Sequence, residues 1–530
     1  MDNSGYVIDC EHEFGNGNGN GNAEKCQTKP AQKEYSFEEA ITLTGVGRFH
    51  LKLLLICGLC FMAVMVEIMG VSLIMPLVKC DLQSTLEQQG LLASAGFLGV
   101  VLSSHAMGFL ADTWGRVATL RYAMMFSAIS SIVSAFSVNI WMLIVCRFLT
   151  GFFISGGQAC VFSLCGEFHG SKSRVRHVTL LSCFMCIAMM FAPAVAIGIL
   201  PLQLDFSLFS MAFGSWRVFL IADVSITLLA LCGLHLLPET PKYQLVQGHL
   251  AEALQTMRYI YAQNSGQSEA DFPVERLAQQ SGGASLSSVH GFWDAVRLIW
   301  HQTVPLFYKS RIAHTLNICL MQFLIYGVAQ GIFMWFPTIL NELGKETSQG
   351  SLLCTVLQSF STAPDAPVDG VCIVNPDIST YQVMITIGAA FTVIYLIFAY
   401  TIDYIGKRNL IIIWMILTMI FLILLHFITT SVLVIIGLTI VMAIGNCGGL
   451  VSTIAMEFYP TQINAMGMCF IMMIGRLGAV VGSNVIGRLL FSSCDITFWT
   501  LLGLVLLLSC MSYFLPDQSQ SKIRFRISSK

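Results

Sequence analysis

A short motif occurs twice in this chain, each time at a polar turn between long apolar runs: Gly108-Phe-Leu-Ala-Asp112-Thr-Trp-Gly115-Arg116, and the degenerate Ala399-Tyr-Thr-Ile-Asp403-Tyr-Ile-Gly406-Lys407-Arg408. Asp403 follows Asp112 by 291 positions, and Glu457 of Met456-Glu457-Phe458 follows Glu167 of Gly166-Glu167-Phe168 by 290. A nearly constant offset over so long an interval means that one multi-helix unit has been used twice. The chain is therefore expected to fold as two pseudo-symmetric halves.

A helix needs about 20 apolar residues to cross a bilayer core. Segments 50–78, 89–110, 117–138, 140–164, 177–200 and 216–237 meet that requirement, and after a polar interval so do 312–340, 382–401, 410–427, 432–455, 463–490 and 496–515. With 55% hydrophobic residues, 11% charged residues and a mean hydropathy of +0.73, the chain is too apolar for a soluble domain. The expected fold is an all-α membrane protein of twelve transmembrane helices in two six-helix bundles, residues 50–237 and 312–515. A disordered cytosolic arm (1–49), a cytosolic central loop (238–311) and a cytosolic tail (516–530) complete the division. Duplicated helical halves enclosing a midplane site are an architecture of secondary transporters.

The net charge of -2 gives no basic footprint for nucleic acid. No metal-ligand cluster, nucleophile elbow or nucleotide loop is present, so neither an enzyme nor a metal or cofactor is expected. The polar N-terminal stretch, with its Gly-Asn repeat over 15–22, lacks the apolar core and cleavage site of a signal peptide. Lys25, Lys29, Lys33, Arg48, Arg116, Arg121, Lys172, Arg174, Arg176, Lys407, Arg408 and the basic tail from Lys522 fall on one side of the twelve segments, and little beyond Lys79 and Lys345 falls on the other. The positive-inside rule then puts both termini in the cytosol. In the central loop, Leu250, Leu254, Met257 and Tyr261 repeat at helical spacing, as do Trp293, Val296 and Trp300, which reads as short amphipathic helices against the inner membrane face. Cys354 and Cys372 lie in the outer loop between the seventh and eighth segments, where a disulfide and two free thiols are both open readings.

Ionisable groups at membrane depth are costly and mark function or pairing. Glu67 lies mid-way along the first segment and Arg147 at comparable depth in the fourth, so the two are expected to pair in the N-terminal half, either as a proton-coupling site or as a permanent structural ion pair. Arg476 in the eleventh segment has no evident acidic partner in its own half and reads as a cavity cation for an anionic group, with backbone carbonyls or Glu457 as the alternative. Asp223 in the sixth segment is expected to pair with Arg217 near the outer surface, with a substrate-facing role as the alternative. Gln158 adds a polar group in the fourth segment, and Asn317, Gln322, Tyr326 and Gln330 form a polar stripe along the seventh, facing either a cavity or neighbouring helices. In the hinge motif, Gly108 is expected to let two helices approach, Asp112 to cap or face a helix N-terminus, and Gly115-Arg116 to complete a charged turn.

The hinge with its copy, Arg147-Phe-Leu-Thr-Gly151, Glu167 followed by Arg174, and Pro238-Glu-Thr-Pro-Lys242 together resemble the major facilitator superfamily over nearly the whole chain after residue 48. Phe61-Met-Ala-Val-Met-Val-Glu67, Met334-Trp-Phe-Pro337, Glu457-Phe-Tyr-Pro-Thr461 and Arg476-Leu-Gly-Ala479 are similar to its synaptic vesicle glycoprotein-like and organic ion transporter branch, from which the chain departs at Val64 and Asn464, where that branch carries an aspartate and an arginine. The resemblance implies a monomeric alternating-access transporter of the plasma membrane or a vesicle membrane, carrying a small organic solute or ion with or without a proton. The competing reading is a protein of the same fold that binds a partner without transporting. Substrate contact is then expected of Glu67, Arg147, Gln158, Asn317, Gln322, Tyr326, Gln330 and Arg476. Conformational hinges are expected at Gly108, Asp112, Gly115, Arg116, Glu167, Arg174, Asp403, Gly406, Lys407, Arg408 and Glu457.

Overall fold

Twelve helices long and apolar enough to cross a membrane account for most of the molecule. The computed structural model describes residues 34–202, 211–278, 303–309, 311–345, 378–459 and 461–515, with short pieces at 6–10, 26–30, 207–208 and 353–355 and the single positions 297 and 300. In the first half the spans are Arg48–Asp81, Leu86–Trp114, Arg116–Ala135, Ile140–Glu167, Ser171–Ile199 and Ser215–Leu234. In the second they are Ile312–Lys345, Ile378–Ile405, Lys407–Leu424, a broken tenth span made of Ser431–Met442 and Gly445–Phe458, then Thr461–Ser492 and Cys494–Tyr513. Long apolar runs become helices because a backbone in lipid must satisfy its own polar groups. Their starts are set by polar residues at the membrane boundary: Thr85 and Gln88 form a capping box, and the Asn139 side chain accepts from Met142 N–H.

The first and seventh spans are the most enclosed, with 78% and 72% of their apolar windows buried, against 28% for the ninth, so these two form the centre of the bundle and the ninth faces lipid. Leu102, Leu396, Phe427 and Val432 belong to the apolar belt left on the outside. Small residues permit the closest helix approaches. A side chain at Gly151 would strike the backbone of Gly96 in the second span, and one at Gly482 the backbone of Gly327 in the seventh.

The halves meet along the second and eleventh spans, the fifth and eighth, and the first and seventh. At the end remote from the hinge motifs, Glu87 and Arg488 form an exposed ion pair at 3.0 Å across the halves. Close by, Gly90 leaves space only for the Asn484 side chain.

Three expectations are corrected. Part of the supposedly disordered arm is ordered: Phe37–Leu43 is a helix with a Ser36/Glu39 capping box, packed on the central-loop helix Leu250–Ser265. Asn264 of that loop helix donates to the Thr44 and Gly45 carbonyls and accepts from Phe49 N–H, fastening the loop to the base of the first span. The tenth span, expected to be continuous, breaks at Ala443 and Ile444, just before the glycine-rich Gly445-Asn-Cys-Gly-Gly449. Cys354 is bonded to Cys494 at the start of the twelfth span rather than to Cys372, which lies outside the described residues. The expected helix around Trp293, Val296 and Trp300 falls almost wholly outside them too.

Under the hinge end of the first half, three imidazoles crowd together. The rings of His50 and His169 lie 4.5 Å apart and those of His169 and His177 4.1 Å apart. His169 Nδ1 bonds the Cys165 carbonyl at 2.6 Å, and its Nε2 is buried without a partner.

Candidate functional site

Glu67 and Arg147 meet inside the first half, Nη1 to Oε2 at 3.1 Å, with side-chain exposures of 1% and 3%. Two other helices complete the site. From the third span, Ser131 Oγ donates to Glu67 Oε2 at 2.8 Å while accepting from Arg147 Nη2 at 2.8 Å, and Ser134 Oγ also takes a bond from that nitrogen. From the sixth, Thr227 Oγ1 donates to Glu67 Oε1 at 3.4 Å. A buried charge is tolerable when it is both paired and hydrogen-bonded, and here one helix supplies each element of that solution. The pair opens onto a small pocket lined by Val71, Leu92, Thr150 and Ile154, with a volume of about 10 Å³. That is room for one water.

The sixth span contributes a further carboxylate where none was expected. Asp223 does not pair with Arg217: the Arg217 guanidinium bonds the Ala135 and Ser137 carbonyls at 3.0 and 2.7 Å and meets Asp81 at 3.4 Å. Asp223 is buried against the first span one turn from Glu67, filling the notch left by Gly70. Six positions apart on a helix is about 240° of rotation, so residues 217 and 223 point to different sides.

In the second half, Arg476 reaches across to the N-terminal half, Nη1 donating to Ser104 Oγ of the second span at 3.0 Å. Among the described residues no carboxylate pairs with it. Tyr326 lies within its electrostatic reach, packed against Gly448 and Gly475 between the tenth and eleventh spans. The polar stripe of the seventh span divides. Asn317 donates to the Met511 carbonyl at 3.3 Å and Gln322 to the Gly448 carbonyl and Ser452 Oγ at 3.2 and 3.0 Å, so both act as contacts between helices. Gln322 Oε1 and Gln330 Oε1 are buried without partners. The Gln158, Asp403 and Glu457 side chains lie outside the described residues.

The first hinge is a charge cluster contained in one half. Arg116 meets Glu167 at 3.1 Å and Asp112 at 2.9 Å. Of the two readings for Asp112, capping or facing a helix N-terminus, capping is not seen: 52% exposed, it pairs with the side chain of Arg116, the first residue of the third span. Capping falls to Glu239 of the Pro-Glu-Thr-Pro motif, whose carboxylate accepts from the N–H groups of Arg116, Val117 and Ala118 at 2.8 to 3.2 Å and so neutralises the free start of the third span. Gly115 makes this possible with φ +103°, and a side chain there would collide with the Glu239 carboxylate. Thr240 Oγ1 donates to Glu167 Oε2 at 2.8 Å, and Arg121 caps the sixth span by donating to the Leu234 and Leu237 carbonyls. Arg174 bonds the Gly166 and His169 carbonyls and pairs with Glu38, not with Glu167. A Cβ added at Gly108 would meet nothing within 4 Å, so no close helix approach requires a glycine there in this conformation. The second hinge repeats the backbone, with Gly406 at φ +84°, but has open space where Glu239 stands in the first. Arg408 there lies over the Tyr513 ring at 4.6 Å.

Glu239, Thr227 and the serines were not singled out from sequence. The serines had a visible signal, since Ser127, Ser131 and Ser134 recur at helical spacing on an otherwise apolar span.

Residues 56–367 match the Major Facilitator Superfamily. The chain belongs to that family. Within it, the relatives are of the synaptic vesicle glycoprotein-like branch. Synaptic vesicle glycoprotein 2C of Mus musculus is 29% identical over 327 residues, covering 58% of this chain and 45% of the relative, so the match spans less than half of that protein's length. The synaptic vesicle 2-related protein of Rattus norvegicus is 25% identical over 510 residues, 93% of this chain and 83% of the relative. Among solved structures, the xylose transporter XylE from E. coli in a partially occluded inward-open conformation superposes with a TM-score of 0.63 at 12% identity, covering 89% of this chain and all of that one. The nucleoside transporter NupG gives a TM-score of 0.55 at 12% identity, covering 87% of this chain and 98% of that one. Such likenesses carry the fold alone. This member of the major facilitator superfamily is thus a multi-pass membrane protein of a transporter family, not an enzyme, with its halves drawn together at the end remote from the hinges.

Proposed function

We propose that the protein moves a small organic solute or ion across its membrane by alternating access, with Glu67 and Arg147 as a proton-coupling pair and Arg476 as the cation that meets an anionic group of the cargo. The observation that carries this reading is the placement of Arg476: a guanidinium held between the halves, bonded to a serine of the opposite half and facing no carboxylate among the described residues. A cation kept unneutralised at membrane depth is expensive unless an anion visits it. The Glu67–Arg147 pocket, with room for a single water, suits a proton and not a solute. Tyr326, Gln330 and Gln158 are assigned to the solute path, Asn317 and Gln322 to holding it in shape. The lysine- and arginine-rich end is taken as cytosolic, which puts the end closed by Glu87 and Arg488 on the outer side.

The competing reading, a non-transporting binding partner of the same fold, draws on the apolar Val64, buried three residues before Glu67. Uptake by proteoliposomes decides between them. A panel of organic anions, cations and neutral solutes, with and without an imposed pH difference, should show accumulation of an anion that Arg476→Ala abolishes. Absence of uptake of every class, by protein shown to be folded, would leave the binding reading in its place.

A further inference from the structure

We propose that Asp223 is a second proton-binding residue beside Glu67, and that in the conformation described here it carries the proton while Glu67 is ionised. The inference deepens the coupling role given to Glu67 and rests on that reading.

The argument is one of charge and donors. Glu67, Asp223 and Arg147 are all buried, on the first, sixth and fourth spans. Thr227, one turn beyond Asp223, bonds Glu67, while Asp223 Oδ2 faces Gly70, one turn beyond Glu67; the two helices therefore bring both carboxyl groups into one compartment. Among the described residues one cation serves that compartment. Arg147 spends Nη1 on Glu67 and Nη2 on Ser131 and Ser134, and the next arginine, Arg217, is engaged by Asp81 and two carbonyls at the end of the same span. Ser131 Oγ, Arg147 Nη1 and Thr227 Oγ1, from the third, fourth and sixth spans, all donate to Glu67, and Asp223 Oδ1 is buried without a hydrogen bond. Two carboxylates sharing one guanidinium would leave a net negative charge away from water, and two like charges in such proximity cannot both be ionised cheaply. The group with the donors keeps the charge and the group without them keeps the proton. Because the pair titrates as a unit, opening of the halves that admits water to Asp223 releases a proton from the pair without breaking the Glu67–Arg147 contact.

Infrared spectroscopy reads the proton directly and needs no knowledge of the cargo. The full chain in lipid nanodiscs at neutral pH should show the C=O stretch of a protonated carboxylic acid. That band should shift when aspartate is labelled with heavy carbon at its side-chain carboxyl, stay put when glutamate is so labelled, and be lost in Asp223→Asn. Asp81, Asp112, Asp271 and Asp495 are exposed, and a second variant that keeps an acid, Asp223→Glu, should move the band from the aspartate label to the glutamate label, which assigns it to this position. A band that follows the glutamate label, a band that survives Asp223→Asn, or no band at all overturns the proposal. These outcomes are independent of the uptake panel: failure of uptake with the aspartate band present removes the transporter reading and not the proton assignment.

Discussion

Glu67 shows how a residue found by its unlikely position acquires a testable chemistry. Exchanging it for glutamine keeps the shape of the site but removes the charge that Arg147 neutralises. For any solute accepted in the uptake panel, Glu67→Gln should abolish the response to a pH gradient while solute exchange across the membrane persists; gradient-driven accumulation surviving in the variant would exclude Glu67 from coupling. Either change breaks the buried pair: Arg147→Met strands a carboxylate and Glu67→Gln a guanidinium, at a cost of about 3–5 kcal/mol, so both variants should melt well below the parent protein.

His169 makes a second prediction at this scale. Burial, reinforced by His50, His177 and Arg174 around it and opposed by the Cys165 carbonyl, holds its ring down to about 4. An unstructured histidine titrates near about 6.5, so the open or unfolded chain takes up a proton that the folded one refuses. The stability it confers is therefore complete above that ordinary value and declines as the pH falls from there toward 4, by about 3 kcal/mol across the interval. Thermal unfolding in detergent should show that slope, and His169→Gln should flatten it; equal slopes in both proteins would exclude His169 as its source. Glu67 and Arg147 were legible because a charge in an apolar run stands out at once. Asp223 was assigned to the arginine nearest in sequence, where helical periodicity already argued against it. The decisive fact, the notch at Gly70, is a property of two helices together and cannot be read from either one.

At the scale of the helix, the two hinges share a backbone and differ in what completes it. Alanine at Gly115 and at Gly406 should each strain a left-handed turn. Only at Gly115 does the new methyl also displace an acid that caps a helix. Gly115→Ala should therefore lower the melting temperature more than Gly406→Ala, and Glu239→Ala, which leaves three N–H groups unserved, should cost about 1–2 kcal/mol and speed hydrogen exchange at residues 116–118. Equal losses at the two glycines would show that the acid contributes nothing. The helices themselves were largely legible, because length and apolarity decide a span. Their interruptions were less so: the break at Ala443 and Ile444 lies inside an unbroken apolar run, and only the following glycines hint at it. The motif acid was visible as well, but its target lies more than a hundred positions away in the chain, which no local pattern encodes.

Across the whole molecule, the duplication gave the two halves, while nothing in the sequence told which end would be shut. Closure rests on the second and eleventh spans at Gly90 and Asn484 and on Glu87 with Arg488. Cysteines placed at 87 and 488 and bridged by a bifunctional thiol reagent should hold that end closed and stop turnover; undiminished turnover in the bridged protein would mean that this end need not open. The disulfide Cys354–Cys494 joins two parts of the second half, so relative motion of the halves does not stretch it.

The latch at residues 87 and 488 stands in the open, with side chains 69% and 60% exposed, and pairs so placed are worth about 0–1 kcal/mol and weaken as electrolyte is added. A bolt of that strength is close to thermal energy. The resting posture of the molecule is thereby left adjustable by the ionic surroundings on one side of its membrane, so that a fluid rich in salt and one poor in it would find the same protein differently poised.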